Sequence, residues 1–270
     1  MLVSFVEELL PDEWAFHNDH ETCNEVAIDD EVGRHIEVMI EKTAQSDVRS
    51  AMEIPEFRKA IDEELKTINE FHTYDLVPRS AIPAGVKTFR PIWRFRYKAD
   101  GHAKARLCFL GHKQLYGVNF TETQSPTLQM TSFRLFLSVA HLRKAQIRHL
   151  DVKNAYLHAL VDEEVYMEQP TGFVDPERPD HVCKMNRALY GMRQAGQLWN
   201  QLAHQILVTE LLKQNDYNPC VYYNDLDRDR WFIVLIFVDD LLVIGLSMRS
   251  DEFISNITKK LCISSNSELK

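Results

Sequence analysis

The segment Ile236-Phe237-Val238-Asp239-Asp240-Leu241-Leu242-Val243 constrains this chain more than any other. Apolar, β-favouring residues stand on both sides of two adjacent carboxylates. Such a run reads as a β-hairpin with the aspartates in its turn. Like charges side by side are unfavourable unless something compensates them. A divalent ion is the usual compensation, because Mg2+ takes oxygen ligands and works with one or two carboxylates plus substrate phosphates. On the dipeptide alone, a plain Asp-rich turn is the stronger reading.

A carboxylate from another part of the chain shifts that balance. Asp151 ends the short strand predicted from Ile147. Strand-end aspartates from two elements can meet at one edge of a sheet. There they can hold two metal ions about 3.5–4 Å apart, the geometry of in-line phosphoryl transfer. Taken singly, Asp151 reads as a cap for the helix predicted from Asn154. Tyr156 follows on that helix. An aromatic ring beside the carboxylates can pack on the sugar of an incoming nucleotide and exclude a 2′-hydroxyl. Taken singly, it reads as a core tyrosine.

The net charge of −9 argues at first sight against a nucleic-acid partner. Its distribution argues otherwise: residues 1–75 carry −14, residues 76–150 carry +11 and residues 151–270 carry −6. The basic block includes Lys87, Arg90, Arg94, Arg96, Lys98, Lys104, Arg106 and Lys113, with Phe89, Trp93, Phe95, Tyr97 and Phe109 interleaved. Cations with aromatic bodies between them suit phosphate contact and base stacking. A solvated basic hairpin accounts for the block equally well.

Along the chain, residues 1–50 are acidic and aperiodic and read as a linker or poorly ordered extension. Ile54, Phe57, Ile61, Leu65 and Ile68 predict an amphipathic helix over 55–71. Tyr74–Pro83 reads as a loop with two prolines. Phe89–Cys108 reads as a hairpin turning at Ala99-Asp100-Gly101-His102. Helices are predicted at 131–144, 154–160, 194–213 and 251–261. Strands are predicted at 147–152, 165–167, 182–185, 220–223, 231–238 and 241–244. Without strict βαβ alternation this is an α+β fold. The apolar run Trp231–Val238 is too short to span a bilayer, so no membrane role is expected. The N-terminus has no basic start and does not read as a targeting signal. Five scattered cysteines without CxxC spacing fit a reducing, intracellular compartment.

Several segments together resemble the reverse transcriptases of copia-type LTR retrotransposons. Leu150-Asp151-Val152-Lys153-Asn154-Ala155-Tyr156-Leu157-His158 looks like their first carboxylate motif, and Phe237-Val238-Asp239-Asp240 resembles their Tyr-x-Asp-Asp box. Glu163–Phe173 and Val182–Ala195 are similar to the blocks between them. Lys104-Ala105-Arg106-Leu107 is similar to the basic fingers motif, and Ser125-Pro126-Thr127 to the turn before the palm. The match runs in order from about Pro55 to Lys270.

The resemblance implies a right-hand polymerase fold with an antiparallel palm sheet packed on helices. Residues 51–270 would be the reverse transcriptase domain, with fingers at about 55–145 and palm at about 146–270. Asp151, Asp239 and Asp240 would be the catalytic carboxylates, with Asp240 less direct, and the Val152 carbonyl a further ligand to two Mg2+ ions, or Mn2+ in their place. Lys104, Arg106, Tyr156, Tyr190, Gly191 and Arg193 would bind the nucleotide, and Arg94, Arg96 and Lys98 would contact nucleic acid. The implied partners are an RNA or DNA template with primer, deoxynucleoside triphosphates, and the integrase and ribonuclease H of a Gag-Pol polyprotein. The implied setting is a cytoplasmic virus-like particle with nuclear access.

Phe237 departs from the family pattern, where Tyr is common. No thumb segment is recognised, so the chain reads as truncated before the thumb. The expected function is RNA-directed DNA polymerisation. The alternative is a catalytically silent retroelement remnant that keeps the fold and its affinity for nucleic acid. A third reading, an unrelated metal-dependent phosphotransferase, leaves the block Val182–Ala195 without a purpose.

Overall fold

The structure, a computed structural model, describes residues 48–98, 101–224, 231–245 and 247–269, with side chains described over 250–263 in the last stretch. Residues 1–47, most of the expected acidic extension, and Ala99-Asp100 of the expected hairpin turn lie outside the described residues. The elements in chain order begin with α1 (Val48–Met52), α2 (Pro55–Glu70), β1 (Tyr74–Pro78), β2 (Thr88–Phe89), β3 (Pro91–Tyr97) and β4 (Ala103–Phe109). Then come α3 (Met130–Arg143), β5 (Gln146–Val152), α4 (Ala155–His158), β6 (Tyr166–Met167), β7 (His181–Met185) and α5 (Ala195–Thr209). The last are β8 (Lys213–Gln214), β9 (Val221–Tyr223), β10 (Phe232–Phe237), β11 (Asp240–Gly245), α6 (Ser247–Lys260) and β12 (Ile263–Leu269).

The chain forms two compact units. One holds the described residues up to Thr123 together with Ala159–Leu198, and the other holds Gln124–His158 and the chain from Trp199 onward. A single cut near residue 145, as the sequence suggested, does not divide them. The reasons are that α3, before such a cut, packs on β10, and that β6 and β7, after it, pair with β2 and β1.

In the first unit, Pro55 opens α2, where its fixed φ suits the first helical turn. Phe57, Ile61 and Ile68 of α2 are buried. The Phe57 ring meets Phe95 edge-on at 5.4 Å. The Leu107 N–H donates to Glu64 Oε1 at 3.1 Å, which ties α2 to the β3–β4 hairpin. A separate four-stranded sheet has the order β1-β7-β6-β2. The expected loop at 74–83 therefore begins as a strand, with Tyr74 opposite Met185. Pro78 is tolerated there because β1 is an edge strand and needs no ladder donor on its open side.

The second unit is a six-stranded sheet of order β12-β5-β11-β10-β9-β8, antiparallel throughout. Along β10 the side chains alternate between two cores. Phe232, Val234 and Ile236 join Trp199, Ala203 and Leu207 of α5 and Phe253, Ile254 and Ile257 of α6. Ile233 and Leu235 join Phe136, Val139 and Ala140 of α3. The unbroken apolar run at 231–237 follows from this, because a strand covered on both faces has no polar side. The expected helix 194–213 stops at Thr209, since Lys213–Gln214 leave it to pair with Tyr222 and Tyr223. The mixed helix-and-sheet class expected from the sequence is the one observed.

Candidate active site

The hairpin read from the sequence is present, and its geometry is specific. Phe237 pairs with Asp240, so Val238 and Asp239 form a two-residue loop. Val238 has φ 55°, the sign that type I′ and II′ turns require at the first loop position. A β-branched residue is strained there, at a cost of order 1–3 kcal/mol. Buried Trp199 holds the turn: its Nε1–H donates to the Val238 carbonyl at 2.6 Å.

Asp151 lies on β5 directly opposite Asp240 of β11. The Val152 N–H donates to the Asp239 carbonyl at 2.8 Å, so the turn's main chain is pinned beside Asp151. The three aspartates are each partly exposed, whereas Val152 is buried and paired with Ile263 of β12. Asp240 has a partner that sequence reading missed. His149 Nε2 stands 2.6 Å from Asp240 Oδ1. An ionised carboxylate only accepts, so in this pair Nε2 carries the proton and donates. The signal was present in the sequence: His149 is at i−2 from Asp151 and so lies on its strand face. Nothing in the sequence pointed to Trp199. Tyr156, on α4, is partly buried and packed against the core that contains Trp199 and Leu150.

Among the described residues, no three His, Cys, Asp or Glu side chains converge as a metal-binding cluster. Asp151 and Asp239 are the carboxylate residues that the pinned main chain sets beside one another. Mg2+ and Mn2+ accept that oxygen donor set when phosphates complete the shell. These residues fit an ion shared with a phosphorylated substrate better than one caged by protein alone.

The remaining expected residues belong to the other unit. Arg94 lies opposite Arg106, and Arg96 opposite Lys104, on the paired strands β3 and β4. Like charges directly across a ladder destabilise it, so this face favours an anion. Arg94, Arg96 and Lys98 are exposed. Burial holds the Lys104 ammonium below its usual pKa, and Arg106, Lys98 and Arg96 add to that shift. Burial likewise raises the Glu64 carboxyl, against the Leu107 N–H and the charges of Arg106 and Lys104.

Of the interleaved aromatics expected to help stack bases, Tyr97 is exposed and the other four are buried. Trp93 and Phe95 are buried, because side chains alternate across a strand and the opposite face of this hairpin packs on α2. Phe89 and Phe109 are buried as well, with ring centroids 5.0 Å apart. Tyr190 carries the Arg106 guanidinium over its ring at 4.4 Å, within cation–π range. Gly191 has φ 90°. A Cβ there would collide with the Phe109 carbonyl oxygen, so this glycine lets another segment of the chain's own backbone come close. Arg193 Nε–H donates to the Gly111 carbonyl at 3.0 Å, and its main-chain N–H donates to Gln114 Oε1 at 2.9 Å.

Comparison with known proteins gives a consistent picture. Residues 71–269 match the family model described as reverse transcriptase (RNA-dependent DNA polymerase). The chain is 35% identical over 210 residues to the retrovirus-related Pol polyprotein from transposon TNT 1-94 of Nicotiana tabacum, covering 76% of this chain and 16% of that protein. It is 37% identical over 199 residues to the Pol polyprotein from transposon RE2 of Arabidopsis thaliana, covering 72% of this chain and 14% of that protein. A truncated transposon Ty1-A Gag-Pol polyprotein of Saccharomyces cerevisiae is 25% identical over 207 residues, covering 77% of this chain and 17% of that protein. The matched region is thus a small fraction of each relative's length.

Proposed function

Because the chain belongs to the reverse transcriptase (RNA-dependent DNA polymerase) family, in its copia-type transposon branch, we propose that it adds deoxynucleotides to a primer 3′ end at Asp151 and Asp239. The observation that carries this reading is the main-chain bond from Val152 to the Asp239 carbonyl. It fixes an exposed carboxylate turn beside a second carboxylate on a buried sheet. Asp151 and Asp239 would hold the Mg2+ or Mn2+ ions, with the Val152 carbonyl as a further donor. When bound, the ions activate the 3′-hydroxyl and neutralise the leaving pyrophosphate. Asp240 supports the site through its bond to His149 rather than as a primary ligand.

Tyr156 is the residue we assign to the sugar, where its ring would exclude a 2′-hydroxyl. In the other unit, Arg106 and Lys104 are assigned to the triphosphate, since cations act best where negative charge develops. Tyr190, Gly191 and Arg193 are assigned to the nucleotide and template. Arg94, Arg96 and Lys98 are assigned to nucleic-acid phosphates. Fingers and palm would then be these two units. The partners would be template–primer and the integrase and ribonuclease H of a Gag-Pol polyprotein, met in a cytoplasmic virus-like particle.

Single-nucleotide incorporation on an RNA template–primer tests the reading. Incorporation dependent on Mg2+ or Mn2+ is expected. Asp151→Asn or Asp239→Asn should each lower it by about a hundredfold or more, since even the groups that support metal ligands contribute 10–100-fold. Incorporation unaffected by both substitutions would sink the assignment.

A further inference from the structure

We propose that the turn at 115–120 is a stacking platform for unpaired bases of a nucleic-acid strand, with the Tyr116 ring against a base and Lys113 and Arg193 on the adjoining phosphates. The inference rests on the polymerase reading above and gives the first unit an unpaired strand as a partner. Leu115, Tyr116 and Val118 are 53%, 76% and 56% exposed. Single exposed apolar side chains are ordinary. Three of them within residues 115–118 form a patch, and apolar patches rimmed by polar groups mark interaction surfaces.

The turn that displays them is held by buried amides. Gln114, Asn119 and Gln194 are all buried. Gln114 Nε2 donates to Gln194 Oε1 at 3.0 Å, and Gln194 Nε2 donates to the Asn119 carbonyl at 2.9 Å. Asn119 Oδ1 accepts from the Leu115 N–H at 3.0 Å. The Asn119 N–H donates to the Leu115 carbonyl at 3.0 Å, and the Gly117 N–H to the Phe120 carbonyl at 2.8 Å. Buried amides are costly unless bonded, and a bonded network fixes one geometry. The Tyr116 ring meets buried Phe120 edge-on at 5.8 Å. It is braced on one side while most of it faces solvent, so it loses little freedom when something lies against it.

The neighbouring charges select the partner. Lys113 is exposed, and the exposed Arg193 sets its guanidinium 5.7 Å from the Phe120 ring centroid. The nearby carboxylate, Glu122, accepts from Gln197 Nε2 at 2.8 Å. Aromatic surface with cations beside it suits a single strand, because every base has a π-face and every link a phosphate. In a duplex the bases are stacked on one another and are not offered to the ring.

Fluorescence anisotropy of the whole chain without divalent ions tests this, with a labelled oligouridylate and a long blunt RNA–DNA duplex as probes. Tyr116→Ala should weaken oligouridylate binding by about fivefold to a hundredfold, the range for losing one base–aromatic stack. Duplex binding should change by less than about twofold. Tyr116→Phe should bind as the parent does, and Tyr116→Leu, apolar but without a π-face, should bind as Tyr116→Ala does. Lys113→Ala should reduce the salt slope on oligouridylate by about 0.7, the single-strand value for one phosphate. A parent that does not bind oligouridylate, or equal losses on both probes, overturns the proposal. So does affinity kept in Tyr116→Leu, which would make the turn an apolar docking surface. A parent dimer that Tyr116→Ala dissociates, with oligouridylate affinity unchanged, overturns it in favour of a contact between copies. The readout does not draw on the carboxylates, so the two levels separate. Incorporation lost in Asp151→Asn, with oligouridylate binding unchanged in Tyr116→Ala, leaves the polymerase reading standing and removes the platform. Incorporation indifferent to the aspartates, with the Tyr116→Ala loss present, removes the polymerase reading and leaves the strand-binding platform.

Discussion

Trp199 and Val238 are joined by a 2.6 Å hydrogen bond from the indole N–H to a carbonyl whose residue sits at φ 55°. A strained turn persists only where its surroundings over-determine it. Trp199→Phe keeps the ring and removes the donor. It is expected to cost about 1–3 kcal/mol, combining a lost bond and imperfect repacking. Val238→Gly should stabilise the chain by about 1 kcal/mol by relieving the strain, and should reduce the cost of Trp199→Phe. Urea unfolding of the two single variants and the double variant measures both numbers. Additive costs would show that the indole does not restrain the turn.

Gly191 offers a test in the other unit. Alanine there meets the Phe109 carbonyl oxygen and an unfavourable φ at once. Gly191→Ala should destabilise by about 2–4 kcal/mol, the range for steric conflict added to backbone strain. Thermal denaturation gives the shift. A variant as stable as the parent would mean that Gly191 is held by something other than this approach.

Lys104 predicts a pH dependence. Its folded pKa lies below the unfolded 10.5 because the site is partly buried and lined by Arg106, Lys98 and Arg96. The protonated form is the disfavoured one. Its cost is fully present below the folded pKa and is relieved as pH rises through the window up to 10.5. Lys104→Met should therefore raise stability at neutral pH, and the difference from the parent should shrink as pH rises toward 10.5. Denaturant midpoints across that range measure it. A midpoint difference that is flat with pH would contradict the shift.

Arg96 faces Lys104 across the β3–β4 ladder, so removing it relieves repulsion and also removes the phosphate contact proposed for it. Arg96→Ala should leave the free chain as stable or slightly more stable. It should weaken binding to any template sequence and reduce the salt slope of binding by about one. Fluorescence anisotropy at several salt concentrations reads this. An unchanged slope would remove Arg96 from the nucleic-acid contacts.

Tyr156 is assigned to the sugar. Tyr156→Ala in the active polymerase should raise ribonucleotide incorporation relative to deoxynucleotide incorporation, read from competing single-nucleotide assays. An unchanged ratio would leave Tyr156 as packing for the core it shares with Leu150 and Trp199.

Strong periodicity made α2 legible in the sequence, and apolar runs flanking the aspartates did the same for β10 and β11. The strands β1 and β12 were not legible, because each is short in apolar signal and is held at a sheet edge by main-chain pairing. The aromatics of β3 were visible, but their face was not, since alternation gives two faces and only the α2 contact says which one is buried. The carboxylates could be picked out, but the imidazole partner of Asp240 could not. It depends on the cross-strand register that brings His149 to Asp240.

The pairing of β12 with β5 has a practical side. β5 carries Asp151, and β12 is what keeps its outer row of N–H and C=O groups from facing solvent. In place of that row the sheet ends on a strand whose sequence from Ser264 to Glu268 has no apolar residue. A form of the protein ending at Cys262 would present β5, with Ile147, Leu150 and Val152 among its residues, as an open template for strand addition. It should self-associate on concentration, so the last few residues bear on solubility as much as on the site they border.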